Sequence, residues 1–449
     1  MSPPPPPAGT PAGTPAGPHR RVWRLAGPII LSNLSVPLLG AVDTAVMGHQ
    51  PDAAFVGAVA VGALIFSLVY WSFGFLRMGT TGFTAQADGA GDDAELRAAL
   101  ARPMLLAGAF ALAILLLQWP IAELAFGLIG PSAAVDSLGR IYFEIRIWGA
   151  PATLMTYALL GWLLGVSRAR DVLLLTVTLN GINIALTLFF VLKLEWGIAG
   201  AAWGTLIAEY LALALGFGLA ASELRRRGGR WELPRILDRL RLIALLRVNF
   251  DIFVRTLCLE AAFAVFLTIS AKFGDTRLAG NAILMQLQTF VAHGLDGFAH
   301  AAEVLAGSAF GARNRATFRR MVEVSTLWAA ALALAVSAFY FLFGGVLLTL
   351  FTDIPEVRAA ALTYLPWLAL SPIVSVWSFQ LDGIFIGATR TGDMRNAMIA
   401  SLLIFLLAAA LLVPPLGNHG LWIAFLIFMA ARGVTLGLFY PRLERASAG

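Results

Sequence analysis

The chain has 449 residues, 59% of them hydrophobic and 13% charged, with a mean hydropathy of +0.80. Soluble domains carry about 25% charged residues, so this composition excludes a water-soluble globular protein and implies one that crosses a membrane many times. The net charge of +6 comes from arginines scattered through short loops, which fits the positive-inside rule and gives no sign of nucleic-acid binding.

Residues 1–19 are rich in Pro, Gly, Ala and Thr. Such a segment cannot bury a core and is expected to be disordered or polyproline-like. It lacks the charged-then-apolar start of a signal peptide. Arg20 and Arg21 read as basic anchors before the first span rather than as a twin-arginine signal.

A helix needs about 20 apolar residues to cross the hydrocarbon core. Twelve such runs are present, near 25–48, 54–78, 99–120, 138–165, 171–192, 197–220, 243–272, 279–307, 320–350, 358–388, 396–415 and 419–440. The first holds Asp43, although a carboxylate at mid-bilayer costs about 2.5–3.5 kcal/mol on insertion scales. Such a group is neutralised by a proton, paired, or set on a water-filled path, and each option points to transport. Pro37, six residues earlier, removes a helix hydrogen bond; the bend it makes is either a working hinge or a static kink. Met47, and Phe66 and Tyr70 on the second span, are candidates for an adaptable substrate surface. Packing or interfacial anchoring is their plainer reading.

On the fifth span Thr176, Asn180, Asn183 and Thr187 are spaced four, three and four apart. That spacing puts them on one face, and a polar stripe in lipid must face protein or water. Thr205 on the sixth span is a weaker member of the same set. The alternative is hydrogen-bonded glue between helices. Beyond the arginine-rich stretch 222–242, the seventh span carries Arg255, the single cysteine Cys258 and Glu260. One cysteine excludes an intrachain disulfide and a Cys-based metal cage. The eighth span carries Gln286, Asp296 and Glu303, and the tenth carries Asp382. Gln286, Asp296 and Asp382 are expected to line a substrate cavity, Asp382 as a cation attractor. Arg255 is a candidate partner for Asp296 or Glu303.

Loops rich in arginine alternate with acidic, arginine-poor ones after every span. This implies an even number of spans with both termini cytoplasmic. The chain also repeats itself. Gly161-Trp162-Leu163-Leu164-Gly165-Val166-Ser167-Arg168 recurs as Gly383-Ile384-Phe385-Ile386-Gly387-Ala388-Thr389-Arg390, a shift of 222 residues (383 − 161). At the same shift Gly89 meets Gly311, Arg97 meets Arg319 and Tyr142 meets Tyr364. Six spans per half keep the repeats in one orientation, related by an axis along the membrane normal. The expected division is a lobe at 20–221, a basic cytoplasmic linker at 222–242, a second lobe at 243–441 and a short tail at 442–449.

Several segments resemble the multidrug and toxic compound extrusion (MATE) family, DinF-like branch. They are Ser35 to His49, Trp71-Ser72-Phe73-Gly74-Phe75-Leu76-Arg77-Met78-Gly79, Gly294-Leu295-Asp296-Gly297-Phe298-Ala299-His300-Ala301-Ala302-Glu303, and Leu381-Asp382-Gly383-Ile384-Phe385-Ile386-Gly387. The resemblance covers about residues 20 to 440. It implies an all-α membrane protein of twelve helices in two pseudo-symmetric six-helix bundles forming a V. It further implies a monomeric antiporter of the cytoplasmic membrane that expels cationic or amphipathic small molecules. The driving force is a proton gradient, with sodium as the alternative, and there is no cofactor.

Asp43 falls at the branch's proton-binding carboxylate, and Asn180 and Asn183 match residues around it. Many relatives carry a second aspartate where this chain has Thr187, which leaves Asp43 more solitary. Glu260 resembles the cation-site glutamate of the NorM-like branch. That branch's tenth-span aspartate aligns with Phe379, three residues before Asp382. An enzyme is disfavoured, since no nucleophile elbow, phosphate loop or zinc motif is present. A lipid-linked precursor flippase is the serious rival. It would require basic residues in the cavity, whereas the spans hold mostly acids apart from Arg255 and Arg146.

Overall fold

The computed structural model describes residues 17–48 and 53–448; within 34–48 only the side chains of Ser35, Val42 and Val46 are described. Every regular element among them is a helix. In the first half these are α1 (Pro18–Gly48), α2 (Ala53–Trp71), α3 (Phe75–Ala90), α4 (Asp93–Leu116), α5 (Gln118–Ile129), α6 (Ala133–Arg146), α7 (Ala150–Gly165), α8 (Ala169–Leu188) and α9 (Gly197–Arg227). A short α10 (Leu233–Ile236) lies in the linker. The second half is α11 (Arg239–Ala271), α12 (Asp275–Gly311), α13 (Arg315–Phe351), α14 (Pro355–Gly387), α15 (Thr391–Leu416), α16 (Asn418–Gly437) and the terminal α17 (Tyr440–Ala446).

Ten helices or in-line helix pairs are apolar and long enough to span a bilayer. Helices α1 and α12, with 31 and 37 residues, bring the total among the described residues to twelve. Both carry polar residues within the apolar run, and their packing accounts for them. They pack on each other at the seam between the halves, where the Asn33 side chain meets the His293 carbonyl and His300 and Glu303 are buried, facing protein rather than lipid. Two local departures from the sequence reading occur. The expected second span breaks at Ser72–Gly74 and restarts as α3, and α5 fills part of what reads as a loop between the third and fourth spans.

The 222-residue repeat is written into the backbone. The left-handed residues Gly91, Ser167 and Glu195 have counterparts Arg313, Thr389 and Gly417 at that shift, all with positive φ. Packing repeats as well. Gly161 of α7 lies against the Arg77 carbonyl of α3, and Gly383 of α14 lies against the Ala299 carbonyl of α12 in the same way. Between the halves, Gly89 meets the backbone of Ser308, and Gly311 meets the backbone of Gln86. These reciprocal contacts place the pseudo-two-fold axis between α3 and α12, at the arginine-rich end. A Cβ at Gly311 would overlap Gln86 backbone atoms, which have no freedom to swing away. Gly311→Ala is therefore expected to cost about 1–3 kcal/mol, read as a lower Tm. Gly127→Ala, which points into open space, should be neutral.

Arg97 and Arg102, at the edge of the third apolar run, belong by sequence to the arginine-rich set that marks one side of the membrane. Both are buried and hold the linker to α4. Arg102 grips Glu95 at 2.6 Å and donates to the carbonyl of Arg235 at 2.6 Å. Arg97 donates to the carbonyls of Leu224 (2.8 Å) and Gly228. The last carbonyls of a helix lack intrahelical partners, and Arg97 supplies one at the end of α9.

Candidate functional site

A cavity of about 530 Å³ opens within the first half, between α2, α6, α7, α8 and α9. Its wall is aromatic: Phe66, Tyr70 and Trp71 come from α2, Tyr142 from α6 and Tyr157 from α7. Phe66 stacks on Phe143 at 5.3 Å and tilts against Tyr70 at 5.4 Å. Polar groups converge from α8 and α9: Asn183, Thr205 and Glu209.

The centre of charge is an ion pair, Arg146 Nη1 to Glu209 Oε1 at 2.8 Å, with both side chains about 11% exposed. Arg146 ends α6 just before a 3₁₀ turn, Ile147–Gly149, that joins α6 to α7. Gly149 in that turn leaves room for the Glu209 carboxylate, which a Cβ would displace. The Arg146 guanidinium lies 5.1 Å from the Phe66 ring centre. Its Nε is buried without a hydrogen-bond partner among the described residues, so one charged donor stays uncommitted. Low-dielectric surroundings make such a pair costly to desolvate unless its geometry is good.

The structure brings part of the predicted set together here. Asn183, Thr205, Phe66 and Tyr70 all line this cavity. Asn180 instead donates from Nδ2 to Ser35 Oγ of α1 at 2.9 Å, and Thr187 donates to Asn183 Oδ1 at 3.2 Å. Of the stripe, Asn183 lines the cavity, Asn180 ties α8 to α1, and Thr176 and Thr187 bond within α8. The side chains of Pro37, Asp43 and Met47 lie outside the described residues; all three positions belong to α1.

The second-half residues sit elsewhere. Asp382 does not face an open cavity as a free cation attractor. It is 7% exposed and held between two guanidiniums, Arg255 of α11 and Arg432 of α16, the latter at 2.8 Å. Arg432 in turn lies 5.7 Å from the ring centres of Phe379 and Phe428. Arg255 therefore serves Asp382, not Asp296 or Glu303. Glu260 is half-buried, Asp296 is half-buried and Gln286 is exposed.

At the seam Arg77 donates to His300 Nε2 (3.1 Å), and His300 Nδ1 lies 3.0 Å from Glu303 Oε2. Arginine only donates, so this geometry requires the neutral tautomer of His300 that gives its Nδ1 proton to Glu303. Glu209, Arg77 and Arg432 escaped the sequence reading, although each is a charge inside an apolar run, the same signal that marked Asp43. The balance of mostly acids expected in the spans is corrected accordingly: buried acids have basic partners.

The MatE family profile matches the chain twice, at residues 28–189 and 252–413. The chain is 42% identical over 424 residues to the DNA damage-inducible protein F of Escherichia coli K12, covering 94% of this chain and 92% of that protein. It is 26% identical to a probable multidrug resistance protein NorM of Deinococcus radiodurans, over 96% of both. Among solved structures it superposes on a MOP superfamily transporter from Pyrococcus furiosus with a TM-score of 0.84 at 20% identity, covering 96% of both chains. A mutant of the Vibrio cholerae MATE transporter VcmN also gives 0.84, at 18% identity over 95% of this chain and 97% of that one.

Proposed function

We propose that this chain, which belongs to the MATE family of membrane transporters, is an antiporter that expels amphipathic and cationic small molecules in exchange for protons. The carrying observation is the cavity of the first half, with its aromatic wall and few convergent polar groups. Its size falls within the roughly 300–1,000 Å³ usual for drug-sized ligands. Aromatic faces attract cations and flat rings without demanding one shape. Asp43 is assigned the coupling proton, with Asn183 and Thr205 as its polar neighbourhood. Protonation from outside favours cargo release, and deprotonation towards the cytoplasm resets the carrier. The arginine-rich end is assigned to the cytoplasm, with both termini there, in the cytoplasmic membrane.

Two observations weigh against the alternatives. A sodium site in the second half would draw on Glu260 and Asp382, but Asp382 is already neutralised by Arg255 and Arg432. A flippase for lipid-linked phosphates needs free cations in the cavity, yet the arginine that lines this one, Arg146, is paired with Glu209. The deciding experiment is efflux of a fluorescent cation from proteoliposomes. Transport driven by an imposed pH gradient and indifferent to sodium is expected; transport that needs sodium overturns the coupling.

The ion pair makes a further prediction. Glu209→Gln leaves Arg146 without its countercharge, so the cavity gains a positive charge. At an effective dielectric of about 20, that charge about 8 Å from a bound cation costs roughly 2 kcal/mol. Binding of a monovalent cationic dye should weaken about thirtyfold, whereas binding of a neutral compound of the same shape should hardly change. Fluorescence titration of the purified variant measures both.

A further inference from the structure

A second cleft, of about 460 Å³, lies between the first turns of α1 and α8 and reaches Leu305 of α12. Arg21, Arg24, Arg168, Arg170 and Asp171 line it. Asp171 is taken by Arg168 at 2.7 Å. Arg21, Arg24 and Arg170 are exposed and have no side-chain partner among the described residues. Nor does any side chain cap the start of α8.

The other half shows what such a place looks like when it is filled. There α11 and α15 pack as α1 and α8 do. Asp251 of α11, 3% exposed, accepts from Thr391 Oγ1 at 3.0 Å and from Arg395 Nη1 at 2.6 Å at the start of α15. An internal carboxylate thus ties the two helices together. At the 222-residue shift Asp251 corresponds to Ile29, so α1 brings no anion to its arginines.

The level of the cleft is marked by aromatic groups. Trp23, on the same turn of α1 as Arg24, is 44% exposed and packs edge-on against Trp328 at 5.2 Å. Indoles collect where hydrocarbon meets headgroups, and arginine forks match phosphate oxygens in pairs.

We propose that this cleft binds the phosphate of an anionic phospholipid headgroup, which clamps α1 to α8 as Asp251 clamps α11 to α15. The lipid would thereby hold the helix that carries Asp43 against the one that carries Asn180 and Asn183. The binding claim does not depend on the substrate or on the coupling ion.

The test uses the full chain in a neutral detergent, titrated with phosphatidylglycerol and followed by native mass spectrometry and thermal unfolding. Saturable binding and a higher Tm are expected with phosphatidylglycerol and not with phosphatidylcholine. The Arg21→Ala/Arg24→Ala/Arg170→Ala variant should bind about tenfold or more weakly. A control, Arg225→Ala/Arg226→Ala, removes two exposed charges outside the cleft and should bind as the parent does. Equal affinity in the triple variant overturns the proposal, as does equal loss in the control. Inorganic phosphate or glycerol phosphate matching the lipid at equal concentration also overturns it, because the cleft would then serve a soluble anion.

Discussion

Vesicles carrying Asp43→Asn are expected to lose efflux driven by a pH gradient, by about tenfold or more, while still binding the fluorescent cation. A general acid–base group contributes roughly 10²–10⁴-fold where proton transfer is on the path, and an amide keeps the shape and hydrogen bonds of the acid but not its proton. The backbone frames the argument. Helices α1 and α8 run parallel, since Arg21 and Arg24 meet the start of α8 while Ser35 meets Asn180. Residue 43 lies eight residues beyond Ser35, about 12 Å further along the axis, level with Thr187. Thr187 is fully buried and tied to Asn183, so no second acid stands at that level on α8. Unchanged gradient-driven transport by Asp43→Asn would remove Asp43 from the mechanism.

Much of this architecture was legible because lipid imposes strict rules. Every backbone group must be satisfied within a span, so each long apolar run has to be a helix. The duplication was legible because glycines at close helix contacts cannot vary freely. Gly161 and Gly383 each sit on a neighbouring carbonyl, so the sequence repeat around them is also a packing repeat.

The pairing of charges was not legible. Arg146 and Glu209 are 63 residues apart, and Arg255 and Asp382 are 127 apart. No local period links such residues, and only the packing of α6 on α9, or of α11 near α14 and α16, brings them together. The fate of the polar stripe was half legible. Its spacing gave the face, but which members turn to the cavity depends on where α1 and α9 lean on α8. Arg97 and Arg102 misled for a related reason: an arginine at a loop reads as a topology mark whether or not it also anchors the neighbouring linker.

Asp382→Ala is expected to be the most destabilising single change in the second half, by about 3–5 kcal/mol. Asp382 is the only carboxylate bonded to Arg255 and Arg432 among the described residues. Both arginines are at least nine-tenths buried, so truncation leaves two desolvated guanidiniums repelling each other. The Tm in detergent should fall and the variant should aggregate sooner on heating. Desolvation also supplies the control. Replacing the whole cluster by Arg255→Met, Asp382→Leu and Arg432→Met removes charge and partner together, and apolar groups of similar volume often match or exceed a buried ion network in stability. Most of the lost stability should therefore return in the triple variant. If Asp382→Ala were as stable as the parent, half-buried Asp296 or Glu260 would have to supply the missing charge. Asp296→Asn in the Asp382→Ala background would then show a loss that it does not show alone. If the triple variant folds and still exports cations under a pH gradient, the cluster is a structural clamp. In that case coupling resides in the first half, around α1 and α8.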